Sequence, residues 1–212
     1  DRKNIKFIDY NDIKKSKIFL EKYKKKNSCI IIEPIQGCLP DPKAIDYLKF
    51  LENFSKKNKI ILIFDEVITG LRTKKGSVQN YYNIKPDISL FGKSYGGGYP
   101  IGIIALNKKI ENSINKKKLN IFYGGTFSAN AIACFSGNKT TSYIWKNKKI
   151  IEKQCQFSEY FQNELSSFIE KNRIDAKVYR FQSILRIVFS KNEISDRIQR
   201  DFFEKKNKLK II

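Results

Sequence analysis

The chain has 212 residues, 41% of them hydrophobic and 16 of them Phe, enough for one good core or for one domain plus part of another. Its formal net charge is +21 and it contains no His, which removes zinc sites and Ser-His or Cys-His nucleophile systems from this chain. No run approaches the length of a membrane span, and no apolar targeting segment opens the sequence.

The charge allows two readings. One is nucleic-acid binding. The other is compositional drift: 35 of the 42 basic residues are Lys, Asn occurs 18 times, and the lysines are spread over nearly every polar stretch. Nucleic-acid readers favour clustered charge and arginine, so drift is the preferred reading. The four cysteines, Cys29, Cys38, Cys134 and Cys155, have no metal-binding spacing, and two sit in apolar surroundings. That fits reduced thiols and a cytoplasmic protein.

In chain order, "CIIIEPI" (29–35) reads as a buried parallel strand with Glu33 at its end. "DPKAIDYLKFLENFSKKN" (41–58) reads as a helix, with Asp41 as cap, Pro42 in the first turn, and Ile45, Leu48, Leu51 and Phe54 on one face. "KIILIFDEV" (59–67) is a second buried strand ending in two carboxylates, "PDISLFGK" (86–93) a third and "PIGIIAL" (100–106) a fourth. A mostly helical stretch from about Ser128 to Lys171 is expected to break near Gly137 and near Lys148. "AKVYRFQSILRIVFS" (176–190) alternates as antiparallel strand, and "ISDRIQRDFFEKKNK" (194–208) reads as helix. The opening residues read as the interior of a longer chain and "KKNKLKII" as the start of another strand, so a fragment, inactive alone, is expected.

Strands alternating with helices predict an α/β fold with a mostly parallel sheet, and the change of pattern after about residue 173 predicts a second, smaller α+β unit. Ligands of such sheets sit beyond the carboxyl ends of the strands. Glu33, Asp65 and Lys93 all fall there. A lysine amine can condense with an aldehyde, and a carboxylate can keep a pyridine nitrogen protonated so that the ring takes up electrons. "GGTFSAN" (124–130), with glycine amides and two hydroxyls ahead of a helix, suits a phosphate.

"EPIQG", "IFDEVITGLR", "FGKSYGGGYPIG" and "GGTFSAN", in this order over about residues 28–190, resemble the class III pyridoxal-phosphate aminotransferases of fold type I. Asp65 and Lys93 are 28 residues apart, as in that family. The resemblance implies a large cofactor-binding domain over 1–172 and the beginning of a small C-terminal domain over 173–212. It implies pyridoxal 5'-phosphate as cofactor, Lys93 as the Schiff-base lysine, Asp65 at the pyridine nitrogen and Val67 on one ring face. It places Gly125 and Thr126 at the phosphate, Thr126 serving the neighbouring subunit of a homodimer, and puts Glu33 among the cofactor-binding residues. A small-molecule amino donor and acceptor follow, with no role for nucleic acid, metal or membrane.

"GTFSAN" and "DEVITGLR" are most similar to the glutamate-1-semialdehyde 2,1-aminomutase subgroup. Ornithine- and GABA-type members usually carry Gln where this chain has Ile68 and Glu where it has Cys38; aminomutases usually carry Ala-Gly-Asn in place of "QGC". Transamination of a related sugar or amino acid, and a non-catalytic relative of the fold, stay open. The family's upstream phosphate loop with its stacking aromatic would lie before Asp1, and the substrate-carboxylate arginine beyond Ile212.

Overall fold

The computed structural model describes residues 4–26, 28–118, 121, 124–194 and 197–206. Its centre is a four-stranded sheet in the order β1 (Cys29–Ile32), β2 (Ile61–Asp65), β3 (Ile88–Gly92), β4 (Gly102–Leu106). β1 and β2 run parallel with Ile32 opposite Phe64, and β2 and β3 run parallel with Asp65 opposite Leu90. β4 is antiparallel to β3, with Gly92 opposite Gly102. Only residues 93–101 join the two strands, and a parallel crossover needs about a dozen residues or more. The mostly parallel α/β sheet read from the sequence is therefore present, with one antiparallel edge.

Helix α1 (Ile13–Tyr23) starts at Asp12, whose carboxylate accepts from the Lys15 amide at 2.9 Å, and buries Ser16 and Leu20. Helix α2 (Ile45–Asn58) follows a short 3-10 turn at Pro42–Ala44, which Asp41 caps through the Lys43 amide. Leu48, Leu51 and Phe54 repeat every three residues and are buried as the periodicity predicts, with Tyr47 beside them and Ile45 packed at the margin. They meet Ile30, Leu62 and Phe64, the inward residues of β1 and β2. The helix ends where Lys59 adopts the left-handed conformation, φ 57°.

The expectation of strands buried on both faces is corrected. β2 alternates between buried and half-buried residues, Ile31 of β1 is 60% exposed and Ile104 of β4 is 70% exposed. The helical residues of the core come from α1, α2 and the short helix Val78–Tyr82, while alternate side chains of β1 and β4 among the described residues are left exposed.

Short helix α3 (Val78–Tyr82) precedes β3, and α4 (Lys108–Lys116), capped by Asn107, follows β4. α5 (Ala131–Lys146) and α6 (Lys149–Lys171) part near Lys148 as expected, but α5 runs unbroken through Gly137. The glycine admits a neighbour instead: a Cβ there would stand 2.7 Å from the Tyr95 carbonyl oxygen.

The stretch 176–190 is two strands, β5 (Lys177–Phe181) and β6 (Ile184–Val188), antiparallel and joined at Gln182–Ser183. Phe181 belongs to the main core, its ring 5.5 Å from Tyr81 and 5.7 Å from Tyr82. The Ser183 amide and hydroxyl both donate to the Arg72 carbonyl, at 3.2 and 2.9 Å. α7 (Arg197–Lys206) lies within the expected helix 194–208. Of the strand expected at "KKNKLKII", the first two residues end α7 and the rest lie outside the described residues.

Candidate active site

Three parallel strands end side by side, about 5 Å apart at each step. Glu33 stands one residue past β1, Asp65 closes β2 and Lys93 stands one residue past β3. The structure thus brings the three residues singled out from the sequence to one edge of the sheet.

Asp65 is half-buried, and its Oδ1 accepts from the Val67 amide at 3.1 Å. That bond fixes the carboxylate against its own strand end while leaving further lone pairs open. The Val67 side chain lies against Gly92, where a Cβ would stand 3.5 Å from its Cγ1. Gly92 is needed for a second reason: the same Cβ would stand 2.9 Å from the Ile101 carbonyl oxygen, too close for any side chain at the end of the β3–β4 pair.

Lys93 opens a 3-10 turn, Lys93–Gly96, and is exposed. Its φ is 48°, a left-handed conformation that costs a non-glycine residue about 1–2 kcal/mol. Such strain gathers where the surroundings over-determine a functional group. Here helix α5 packs on the turn through Gly137, and the Ser136 hydroxyl donates to the Gly97 carbonyl at 3.2 Å.

Glu33 is half-buried and turns back on its own loop, Oε2 accepting from the Gly37 amide at 3.3 Å. Tyr10, from the segment before α1, donates its hydroxyl to the Pro34 carbonyl at 3.0 Å; burial and the nearby carboxylates of Asp41 and Glu33 push its pKa up. Ile68 seats on Gly37, where a Cβ would stand 2.7 Å from its Cδ1. Gly125 and Thr126 lie on an exposed turn in which the Ser128 amide donates to the Gly125 carbonyl. The turn leads into α5, whose first amides are capped by the Asn130 side chain through the Ala133 amide at 3.0 Å.

Of two further residues beside this edge, the sequence marks Glu66 only as half of a carboxylate pair and does not single out Tyr95. Glu66 is fully buried and accepts from the Val78 amide at 2.7 Å, the Gln79 amide at 2.9 Å and the Thr69 hydroxyl at 2.8 Å. Burial pushes its carboxyl pKa up, against the pull of those three donors. Tyr95, two residues after Lys93, has its hydroxyl pushed up to about 12 by burial and by the charge of Glu66. The signal for Glu66 was the "DE" pair itself: neighbouring residues at a strand end point opposite ways, so one carboxylate of the two turns toward the core.

An amine on one strand end, a carboxylate on the next and an aliphatic side chain between them make a donor set that fits an aldehyde-bearing pyridine ring. Among the described residues no group of His, Cys, Asp or Glu could hold a metal, and no helix is long and apolar enough to cross a membrane. Fold and edge together define an α/β protein whose parallel strand ends gather an amine and two carboxylates. The class III aminotransferase family model matches residues 6–203, and the chain belongs to that family, whose members depend on pyridoxal phosphate.

The chain is 37% identical over 198 residues to a glutamate-1-semialdehyde 2,1-aminomutase of Methanosphaera stadtmanae, covering 92% of this chain and 45% of that protein. It is 38% identical over 195 residues to the protein of the same name from Methanococcus vannielii, covering 91% and 44%. An omega-transaminase from Sphaerobacter thermophilus shares the fold at a TM-score of 0.80 and 19% identity, over 91% of this chain and 45% of that one. The chain therefore spans a little under half the length of the curated relatives it matches.

Proposed function

We propose that the protein carrying this chain is a pyridoxal-phosphate enzyme that transfers an amino group, of the glutamate-1-semialdehyde 2,1-aminomutase kind. The observation that carries the reading is the pairing of Asp65 and Lys93 on neighbouring parallel strand ends, with Val67 lying against Gly92. The likeness to the two archaeal aminomutases supports the subgroup over other members of the family.

In this reading the Lys93 amine holds the cofactor's aldehyde carbon, the Asp65 carboxylate faces the ring nitrogen and keeps its proton, and Val67 covers one ring face. The cofactor, when bound, supplies the electron sink for a bond breaking next to the amino group. Glu33 supports the edge by holding its own turn at Gly37. Gly125 and Thr126 serve the phosphate of the neighbouring subunit in a homodimer. Residues 1–172 form part of the large domain and 173–212 begin the small one. The described cysteines are all free thiols, which supports a cytoplasmic protein.

The test is covalent. The whole protein, loaded with pyridoxal phosphate and reduced with borohydride, is expected to carry a pyridoxyl group on the peptide containing Lys93. Lys93→Ala removes that label. A label on any other lysine overturns the assignment. The subgroup is read separately: an aminomutase converts glutamate-1-semialdehyde with no added keto-acid acceptor, and a strict need for one would favour an ordinary transaminase.

A further inference from the structure

The segment after β2 links the two proposed active residues, and one buried group holds it. Residues 66–70 form a tight turn closed by the Gly70 amide donating to the Glu66 carbonyl at 2.8 Å. Its first residues set Asp65, because the Val67 amide is the donor that orients the Asp65 carboxylate. Its last residue touches the lysine turn: a Cβ on Gly70 would stand 2.6 Å from Tyr95 Cε2 and 3.1 Å from Phe91 Cδ1, so the Gly70 backbone lies directly on side chains flanking Lys93. The turn therefore bridges the carboxyl ends of β2 and β3 on both sides of the proposed chemistry.

Backbone bonds pin the turn at its ends, the Glu66 amide donating to the Leu90 carbonyl at 2.9 Å and the Arg72 amide to the Thr69 carbonyl at 3.1 Å. The carboxylate of Glu66 holds it from within, through three side-chain and backbone donors drawn from two places in the chain. The Thr69 hydroxyl fixes the turn itself, while the Val78 and Gln79 amides tie it to the start of α3. Two oxygens accepting three hydrogen bonds suit a carboxylate and not a carboxamide, whose NH2 would face one of those donors. Glutamine at 66 leaves a donor against a donor at a fully buried place.

We propose that Glu66 is a positioning residue whose buried carboxylate holds turn 66–70 in the shape that sets Asp65 and the Lys93 turn relative to each other. This rests on the reading of Asp65 and Lys93 given above. Glu66 touches no cofactor in this account; it acts through the Val67 amide on one side and the Gly70–Tyr95 contact on the other.

The experiment compares the whole wild-type protein, Glu66→Gln and Asp65→Asn, each loaded with pyridoxal phosphate, by the pH midpoint of the visible band of the lysine-bound cofactor. A ring nitrogen that is less well protonated withdraws fewer electrons, so the lysine-derived nitrogen becomes more basic and the midpoint rises. Glu66→Gln is expected to raise it in the same direction as Asp65→Asn, and to weaken cofactor binding about tenfold. A fall in thermal stability with the midpoint and affinity unchanged makes Glu66 a structural residue only and overturns the proposal. Should Glu66→Gln fail to fold, Thr69→Val removes one of the three donors and is expected to shift the midpoint the same way by less; an unchanged midpoint there overturns it.

Hydrogen exchange on the cofactor-free whole protein provides an independent reading. Glu66→Gln should speed exchange in peptides covering both 66–70 and 93–96, and faster exchange confined to 78–79 overturns the proposal. If borohydride leaves no pyridoxyl on Lys93 of the wild type, the cofactor reading fails, and this exchange comparison alone decides the role of Glu66.

Discussion

Asp65 and Glu66 are consecutive carboxylates with different surroundings. Asp65 is half-buried with one backbone donor, whereas Glu66 is sealed in with three. The sequence marks the pair as notable, since two acids ending an apolar strand need a reason. It does not say which acid turns outward, because that depends on how β2 meets α3. The prediction at this scale concerns Asp65→Asn. Asparagine keeps an oxygen for the Val67 amide, so the fold should hold and the thermal midpoint stay close to wild type. In the proposed reading the negative charge facing the ring nitrogen is lost, and turnover of the whole protein is expected to fall about a hundredfold or more. Steady-state kinetics at saturating cofactor check this, and near-normal turnover would show that Asp65 is structural.

Among the elements, the strands and α2 were legible because periodicity and end signals agree with packing. Leu48, Leu51 and Phe54 repeat as a buried helix face must, and Asp41-Pro42 marks its start. The direction of β4 was not read as antiparallel, though the nine residues between β3 and β4 already required it. Helix α1 is hard to read because its face is narrow: only Ser16 and Leu20 are buried, and the Ser16 hydroxyl bonds both the Asp9 carbonyl and the Tyr47 hydroxyl, the latter distant in sequence. Gly137 misled for another reason. A glycine within a helical pattern normally counts against the helix by about 1 kcal/mol, so Gly→Ala usually stabilises. Here the new Cβ would stand 2.7 Å from the Tyr95 carbonyl and 3.2 Å from Ile101 Cδ1. Overpacking of this kind costs about 1–3 kcal/mol. Gly137→Ala is therefore expected to destabilise the protein on balance, seen as a lower denaturant midpoint with an unchanged slope. A higher midpoint would show that α5 can shift off the Lys93 turn without cost.

For the whole molecule, the charge of +21 was the loudest feature of the sequence and the least informative about function, while short motifs at strand ends carried the family. The proposed dimer is tested by mixing. If each site takes Lys93 from one subunit and Thr126 from the other, a heterodimer of Lys93→Ala and Thr126→Val subunits has one site with both defects and one with neither. Such heterodimers should regain up to half the wild-type activity with cofactor affinity near normal. A regained site with the weaker affinity of the Thr126→Val homodimer would mean that Thr126 serves its own subunit. The Ser183–Arg72 hydrogen bonds have a further consequence, for the order in which the chain assembles. They join residues 111 apart, and closing so long a segment costs about 4 kcal/mol of chain entropy from its length alone. Two hydrogen bonds return about 1 kcal/mol each, so the tie cannot form unaided. Docking Phe181 between Tyr81 and Tyr82 adds about 2 kcal/mol and brings the sum close to balance. Those tyrosines belong to α3, so the β5–β6 hairpin is expected to dock after α3 has packed on the sheet, which pulse-labelled hydrogen exchange during refolding would show as later protection of 177–188 than of 61–65.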